Sequence, residues 1–349
     1  MGLWRFYMCF YWTEIMPQRQ QQLNAWLEKV LGEPKIKLEP LAGDASFRRY
    51  FRLKHQNNQY VAMDSPPDKE PCLPFVCVDQ AFRGLGLEVP IIFSQNIDAG
   101  FLLLSDLGNR LYVKELNSEN VSHLYINAIN KLPVIQQCKE IPGFSLESFN
   151  QNNLLEELNN FTYWFLERYL KLTLSASQSQ TLEDTYKLLH ENACEQPQVC
   201  IHRDYHSRNL MVRPNNGVGI LDFQDAMLGP ITYDLVSLIR DCYIDWPNEQ
   251  VKKWALYYRQ LAVDAGLLQQ NITENQFLRW FDLMGMQRHL KATFIFVRKF
   301  LRDNDHTYLY DIPRTLNYVK NVCLCYDELR NFRGLLENIL PMFEKVCSK

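Results

Sequence analysis

Ile201-His202-Arg203-Asp204-Tyr205-His206-Ser207-Arg208-Asn209, with Gly219-Ile220-Leu221-Asp222-Phe223-Gln224-Asp225 following it, carries three polar side chains at a spacing suited to phosphoryl transfer. A His-Arg-Asp followed by four residues and an Asn supplies a carboxylate, Asp204, to accept the proton of an acceptor hydroxyl. The same motif supplies an amide, Asn209, to ligate a metal, and Asp222, closing an apolar run, supplies a second oxygen ligand. The transferred phosphoryl group passes through a loose, highly charged transition state, so the protein mainly positions the nucleophile and neutralises oxygens; hard Mg²⁺, which prefers oxygen ligands, fits that task. Either half alone is ordinary, because His-x-Asp recurs by chance and an Asp after apolar residues is often a strand-end turn. Together they specify a chemistry. His202 reads as a structural brace, since the motif gives the proton to Asp204. His206 and Arg208 read equally as substrate-facing or as solvated surface.

Apolar runs flank these residues: Val199 to His202, Leu210 to Arg213 and Val218 to Leu221 are predicted to be extended. Strand ends of this kind hold loop side chains rigidly. Upstream, Leu38 to Leu41 and Phe47 to Leu53 are predicted to form a hairpin through Gly43-Asp44-Ala45-Ser46, whose backbone amides can approach phosphates. Tyr60 to Met63, Ile91 to Phe93 and Phe101 to Leu104 add three strands, and Phe75 to Leu85 a helix. Beyond Leu111 helices dominate. Leu154, Leu155, Leu158, Phe161, Phe165 and Tyr169 recur at helical steps, as do apolar residues over 250 to 265, 277 to 301 and 331 to 346. The expected fold class is therefore α+β: an uncertain extension over 1–16, a small sheet lobe with one helix over 17–105, and a large, mainly helical lobe over 106–349. Ser105-Asp106-Leu107-Gly108 breaks the pattern between the lobes, where a nucleotide is expected to lie.

Composition agrees with an enzyme of this size, 47% hydrophobic and 13% aromatic over 349 residues. A net charge of −3 gives no general attraction for nucleic acid. Ten cysteines without paired CxxC spacing read as reduced thiols of a cytoplasmic protein. No segment reads as a membrane span. The aromatic start, Met1 to Met16, contains Glu14 and lacks both an uninterrupted apolar core and a small-residue cleavage site; an over-extended start, a membrane-surface anchor and a core-packing arm all stay open. Leu23, Trp26, Leu27, Val30 and Leu31 then repeat at helical spacing. On the long helix near 290, Arg288 and Lys291 read either as part of a solvated basic face or as binders of an acidic substrate.

In Gly43 to Arg52, Met63-Asp64-Ser65-Pro66-Pro67, Gly100 to Gly108, His202 to Asn209, Leu221 to Ala226, Gly229 to Leu235, Arg240 to Tyr243 and Gln287 to Lys291, the chain resembles the aminoglycoside phosphotransferase family. The Gly-Asp-Ala-Ser-Phe-Arg-Arg and Asp-Phe-Gln-Asp-Ala blocks resemble its N-acetylmuramate/N-acetylglucosamine anomeric kinases of bacterial cell-wall recycling. The resemblance implies the two-lobed protein-kinase-like fold and ATP-dependent phosphorylation of a sugar's anomeric hydroxyl to the α-1-phosphate; a monomer is the expected state. It implies Asp204 as the base and Asn209 and Asp222 as Mg²⁺ ligands. It implies the 105 to 108 segment as the hinge beside adenine; Ser46, Phe47, Arg48, Arg49, Ser105 and Asp106 are the expected nucleotide contacts, and Arg208, Gln224, Asp225, Tyr243 and Arg288 the expected acceptor contacts.

One departure stands out. Protein kinases carry a phosphate-pairing lysine on the third strand in a Val-Ala-Ile-Lys context, whereas this chain reads Val61-Ala62-Met63-Asp64. Arg48 or Arg49 is the expected substitute, and strand alternation allows only one of the pair to face the nucleotide. Two other readings stay open: a nucleotide-binding pseudokinase, and a kinase of an amino alcohol or aminoglycoside that would use Asp234, Asp241, Asp245 and Glu249.

Overall fold

Alternating side chains from Arg49 to Asp64 place two adjacent strands inside a five-stranded antiparallel sheet. The structure, a computed structural model, describes residues 16–41, 47–149 and 151–347. The chain start and the Gly43 to Ser46 turn lie outside those residues. In chain order the first elements are α1 (Met16–Leu31), β1 (Glu39–Pro40), β2 (Arg49–His55), β3 (Asn58–Asp64), α2 (Leu73–Gly84), β4 (Ile92–Asn96) and β5 (Phe101–Ser105), with strand order β1-β2-β3-β5-β4. Register pairs Arg49 with Asp64 and Asp64 with Phe101, so these three share one face with Phe51, Ala62 and Leu103. On that face Leu23 and Leu27 of α1 close a buried apolar cluster with Phe51, Leu53, Ala62, Phe101 and Leu103. The helical spacing seen before Leu31 is thereby explained: it is the stripe that covers a sheet. At the turn into β5, Gly100 has φ +75, and a Cβ there would lie 1.8 Å from the Ser65 carbonyl oxygen, so glycine is required.

The remaining elements are α3 (Tyr112–Glu115), α4 (Val121–Ile129), α5 (Leu132–Gln136), α6 (Gln151–Asn160), α7 (Ala176–Cys194), β6 (Gln198–Ile201), β7 (Leu210–Val212), β8 (Val218–Ile220), β9 (Met227–Pro230), α8 (Tyr233–Ile239), α9 (Asn248–Asp264), α10 (Glu274–Arg298), α11 (Ile312–Cys325) and α12 (Arg330–Cys347). Two compact units result. One holds residues up to Asn109 with Pro142–Phe144 and Gly219–Gln224; the other holds Arg110–Ile141, Ser145–Val218 and the chain from Asp225 onward. Residues 219 to 224 group with the sheet unit because Ile220 N–H donates to the Glu88 carbonyl at 2.8 Å and the Phe223 ring packs on Phe75 and Phe82 of α2.

Within the helical unit, α7 starts on a capping box made by Ser175 and Gln178, and α10 on Thr273, whose hydroxyl accepts from the Gln276 amide. Helix α10 is buried nearly all round, through Phe277, Trp280, Phe281, Met284, His289 and Val297 among others. A helix like this is the core of its unit, and a charge on it calls for a partner. The apolar stripe from 154 to 169 is not one α-helix, because α6 passes at Phe161 into a π-helical stretch ending at Tyr169. Strand β9, pairing antiparallel with β6, has no separate signal in the sequence, since Met227–Pro230 is too short to alternate. Among the described residues no helix is long and apolar enough to cross a membrane, and the cysteines are free.

Candidate active site

In the helical unit, β6 and β7 carry the loop from His202 to Asn209, and two buried carboxylates hold its backbone. Asp234, near the start of α8, accepts the His202 and Arg203 amides at 2.6 and 3.0 Å. Asp241 accepts the Ser207 and Tyr243 amides, both at 2.9 Å. Tyr205, fully buried, donates its hydroxyl to the Ala128 carbonyl at 2.9 Å, and the His202 ring nitrogen accepts from the Asp204 amide at 3.3 Å. His202 is thus the brace its position suggests. Arg203 is forced to φ +76, a conformation that costs a non-glycine residue about 1–3 kcal/mol and persists only where the surroundings impose it.

The loop presents Asp204 with its side chain 43% exposed, and the Asn209 amide donates to the Asp204 carbonyl at 3.0 Å. That bond fixes the Asn209 side chain, whose amide oxygen is the atom chemically suited to a cation. Burial raises the proton affinity of Asp204, but Lys291, His206, Arg288 and Arg203 outweigh it and hold the carboxyl down to about 2. Arg288 of α10 has one guanidinium nitrogen 4.0 Å from the Asp204 carboxylate and donates another to the Arg203 carbonyl at 3.0 Å. Its face lies over the Tyr233 ring at 4.4 Å. Lys291 is held by Glu157 at 2.6 Å and by the Tyr233 hydroxyl at 3.2 Å. Arg208 lies over the Tyr243 ring at 3.7 Å and over Tyr308 at 5.1 Å, with His206 edge-on to Tyr243. Asp225, exposed, adds its charge to the field at Arg203.

In the sheet unit, Asp222 follows β8 with φ +61 and accepts from the Gln224 amide at 2.8 Å. Phe223, buried against α2, fixes the segment. Asp222 and Asn209 offer hard oxygens of the kind Mg²⁺ takes. Among the described residues no three His, Cys, Asp or Glu side chains converge on a point, and Mg²⁺ held by one or two protein oxygens plus substrate phosphates needs no such cage. Arg48 pairs with Glu70 at 3.4 Å, and Glu70 also accepts the Phe47 amide at 3.1 Å. Arg49 pairs with Asp64 at 2.6 Å, and Arg19 of α1 donates to the same carboxylate. Asp106 receives Arg52 through both oxygens, at 2.5 and 3.0 Å, and Ser105 caps the Ile91 amide at 2.8 Å. Ser46 lies outside the described residues.

The structure thus brings Asp204, Asn209, Arg208, Tyr243 and Arg288 into the helical unit and groups Asp222 and Gln224 with Phe47, Arg48, Arg49, Ser105 and Asp106 in the sheet unit. Sequence reasoning missed the loop-holding role of Asp234 and Asp241, and missed Glu157 altogether. Glu157 sits in an apolar stripe with no motif around it; a charged residue on the core side of a helix was the available signal. Three of the four acidic residues considered for an amine pocket are committed elsewhere, Asp234 and Asp241 to backbone amides and Asp245 to the Tyr318 hydroxyl at 2.9 Å, while Glu249 is exposed at the start of α9.

Residues 37–269, more than half of the chain, match the model of the phosphotransferase enzyme family. The chain belongs to this family. Relatives in it include proteins named N-acetylmuramate/N-acetylglucosamine kinase: that of Pseudomonas putida is 39% identical over 332 residues, covering 92% of this chain and 96% of the relative. The one from Neisseria meningitidis serogroup B is 38% identical over 328 residues, covering 93% and 96%. Among solved structures, a choline kinase from Streptococcus pneumoniae superposes with a TM-score of 0.61 at 14% identity, over 88% of this chain and all of that one. An ADP-bound aminoglycoside phosphotransferase gives 0.57 at 18% identity, over 85% and 97%. At such identities these neighbours show the fold, which is the α+β, protein-kinase-like fold of the family.

Proposed function

We propose that this phosphotransferase uses ATP to phosphorylate the anomeric hydroxyl of N-acetylmuramate and N-acetylglucosamine, giving the α-1-phosphate in the cytoplasm. The observation that carries the reading is the likeness, over 92% of the chain, to relatives bearing those two sugars in their names, and an ADP-bound structural neighbour supports the nucleotide. In the proposed reaction Asp204 orients the acceptor hydroxyl and takes its proton as the oxygen bonds to the γ-phosphorus; the bond to the bridging oxygen breaks and ADP leaves. Asn209 and Asp222 would hold Mg²⁺, which supplies neutralising charge to the phosphates when bound. The cations around Asp204 make it a weak base. The anomeric hydroxyl, whose oxygen shares its carbon with the electron-withdrawing ring oxygen, is the most acidic hydroxyl of a pyranose and needs the weakest base. An amine acceptor suits this surrounding less well, because Arg203, Arg288 and Lys291 would repel it.

Coupled ADP release over a panel of sugars, amino alcohols and aminoglycosides, with phosphorus NMR of the product, tests the reading. Turnover of both N-acetyl sugars with a sugar-1-phosphate coupling pattern is expected. A 6-phosphate product would overturn the anomeric assignment; absence of turnover on every acceptor despite ATP binding would leave a pseudokinase.

A further inference from the structure

We infer that Arg288, with Lys291 one helical turn on, reads a carboxylate on the acceptor, and that Glu157 is their internal competitor for it. The inference rests on the function proposed above and names the feature by which the enzyme would tell its two sugars apart.

Charged side chains on a buried central helix are costly unless paired. Lys291 is paired, through Glu157 and Tyr233. Arg288 is held more loosely: its side chain is 13% exposed, its face lies over the Tyr233 ring, its hydrogen bond goes to a backbone carbonyl, and its ion pair with Asp204 spans 4.0 Å, beyond hydrogen-bonding range. Among the described residues no carboxylate lies within hydrogen-bonding distance of its guanidinium. A planar fork of N–H donors in this state suits a carboxylate held by two parallel bonds. Its neighbour is Asp204, the group that receives the acceptor hydroxyl, so an anion reaching Arg288 comes from the acceptor or from the phosphoryl group passing to it, and only an acceptor carboxylate would differ between the two sugars. N-acetylmuramate carries such a group, a lactyl ether on C3 of the ring whose anomeric carbon reacts; N-acetylglucosamine has a neutral hydroxyl there.

Glu157 supplies the second half of the argument. One carboxylate oxygen binds Lys291 at 2.6 Å and the other accepts from Gln287 at 2.7 Å, so a carboxylate is already docked along the α10 face to either side of Arg288. Its charge opposes a second carboxylate at a site too buried for full screening. An enzyme built this way accepts the anionic sugar without excluding the neutral one.

Steady-state kinetics on both sugars test the idea. Arg288→Gln is expected to lower kcat/KM for N-acetylmuramate at least about tenfold more than for N-acetylglucosamine, mostly through KM, as loss of a charged hydrogen bond does. Arg288→Lys, which keeps the charge without the fork, should fall between, and Glu157→Gln should move the preference about threefold or more toward N-acetylmuramate. Thermal melting checks folding; if Arg288→Gln does not fold, Arg288→Lys and Glu157→Gln decide the matter. Equal losses on both sugars, or a preference unmoved by Glu157→Gln, would overturn the inference while leaving the kinase reading intact. A wild-type protein that phosphorylates neither sugar would instead overturn that reading.

Discussion

Asp234 is fully buried and commits both carboxylate oxygens to the amides of His202 and Arg203, so the loop from His202 to Asn209 is held through its backbone by a residue beyond it. Arg203, beside Asp204, and Asp222 each hold a left-handed conformation, at a cost of about 1–3 kcal/mol for a non-glycine residue. Asp79 of α2 shows the opposite condition: it is 1% exposed, and its Oδ1 has no hydrogen-bond partner among the described residues. Burial pushes its carboxyl from 3.8 up to about 7, against a nearby Arg83 that pulls the other way. A raised folded value means that the native state keeps the proton over a range where the unfolded chain has released it. The associated stability is present below about pH 4 and lost as the pH rises through about 7. Urea unfolding is expected to show the wild type losing on the order of 1–3 kcal/mol relative to Asp79→Asn between pH 4 and pH 8. Parallel pH profiles for the two proteins would assign the titration to another group.

At the scale of elements, β2 decides how the family's missing lysine is handled. Asp64, standing where kinases carry that lysine, is buried under Arg49 from its own sheet and Arg19 from α1. The arrangement ties the strand ends to the helix that covers them, and Arg49 and Asp64 lie on the face α1 packs. Arg48, one residue earlier, pairs with Glu70 instead. The two arginines are therefore expected to behave differently on truncation. Arg49→Ala leaves a buried carboxylate with one partner fewer and should lower stability by about 1–3 kcal/mol with ATP use little changed. Arg48→Ala should raise the Michaelis constant for ATP about tenfold, the loss of one charged hydrogen bond to phosphate. Measured ATP constants that are unchanged in both variants would place the compensating charge in the helical unit or on a second metal ion.

At the scale of the molecule, the expected phosphate and metal groups are divided: Asp222 lies in the sheet unit, Asp204 and Asn209 in the helical unit. The division yields a test that separates their roles. Saturating MgATP at about a hundred times its dissociation constant stabilises a folded protein by about 2.7 kcal/mol. Asp204→Asn should keep that stabilisation, read as a rise in melting temperature, while turnover falls at least about a hundredfold. Asp222→Asn should lose most of the rise at low Mg²⁺ and regain part of it as Mg²⁺ increases. Identical metal dependence in the two variants would count against the assignment.

Most of the sheet strands and the covering helix were legible along the chain because they depend on local periodicity: the alternation from Phe47 to Leu53, the stripe from Leu23 to Leu31, the apolar runs on either side of His202 to Asn209; β9 and the π-helical stretch from Phe161 to Tyr169 were not. The candidate residues Asp204, Asn209 and Asp222 were legible for a related reason, since one loop and one strand end fix their spacing within the sequence itself. What no local pattern contains is which distant group satisfies which charge. That Asp64 answers to Arg19 and Arg49, that Asp234 and Asp241 hold a loop instead of lining a pocket, and that Glu157 meets Lys291 while Arg288 is left to Asp204 were decided only by tertiary structure. Burial makes an unpaired charge costly whatever its sequence separation, so the pairing follows from the packing of α1 on the sheet and of α6 and α8 against α10, and from nothing shorter in range.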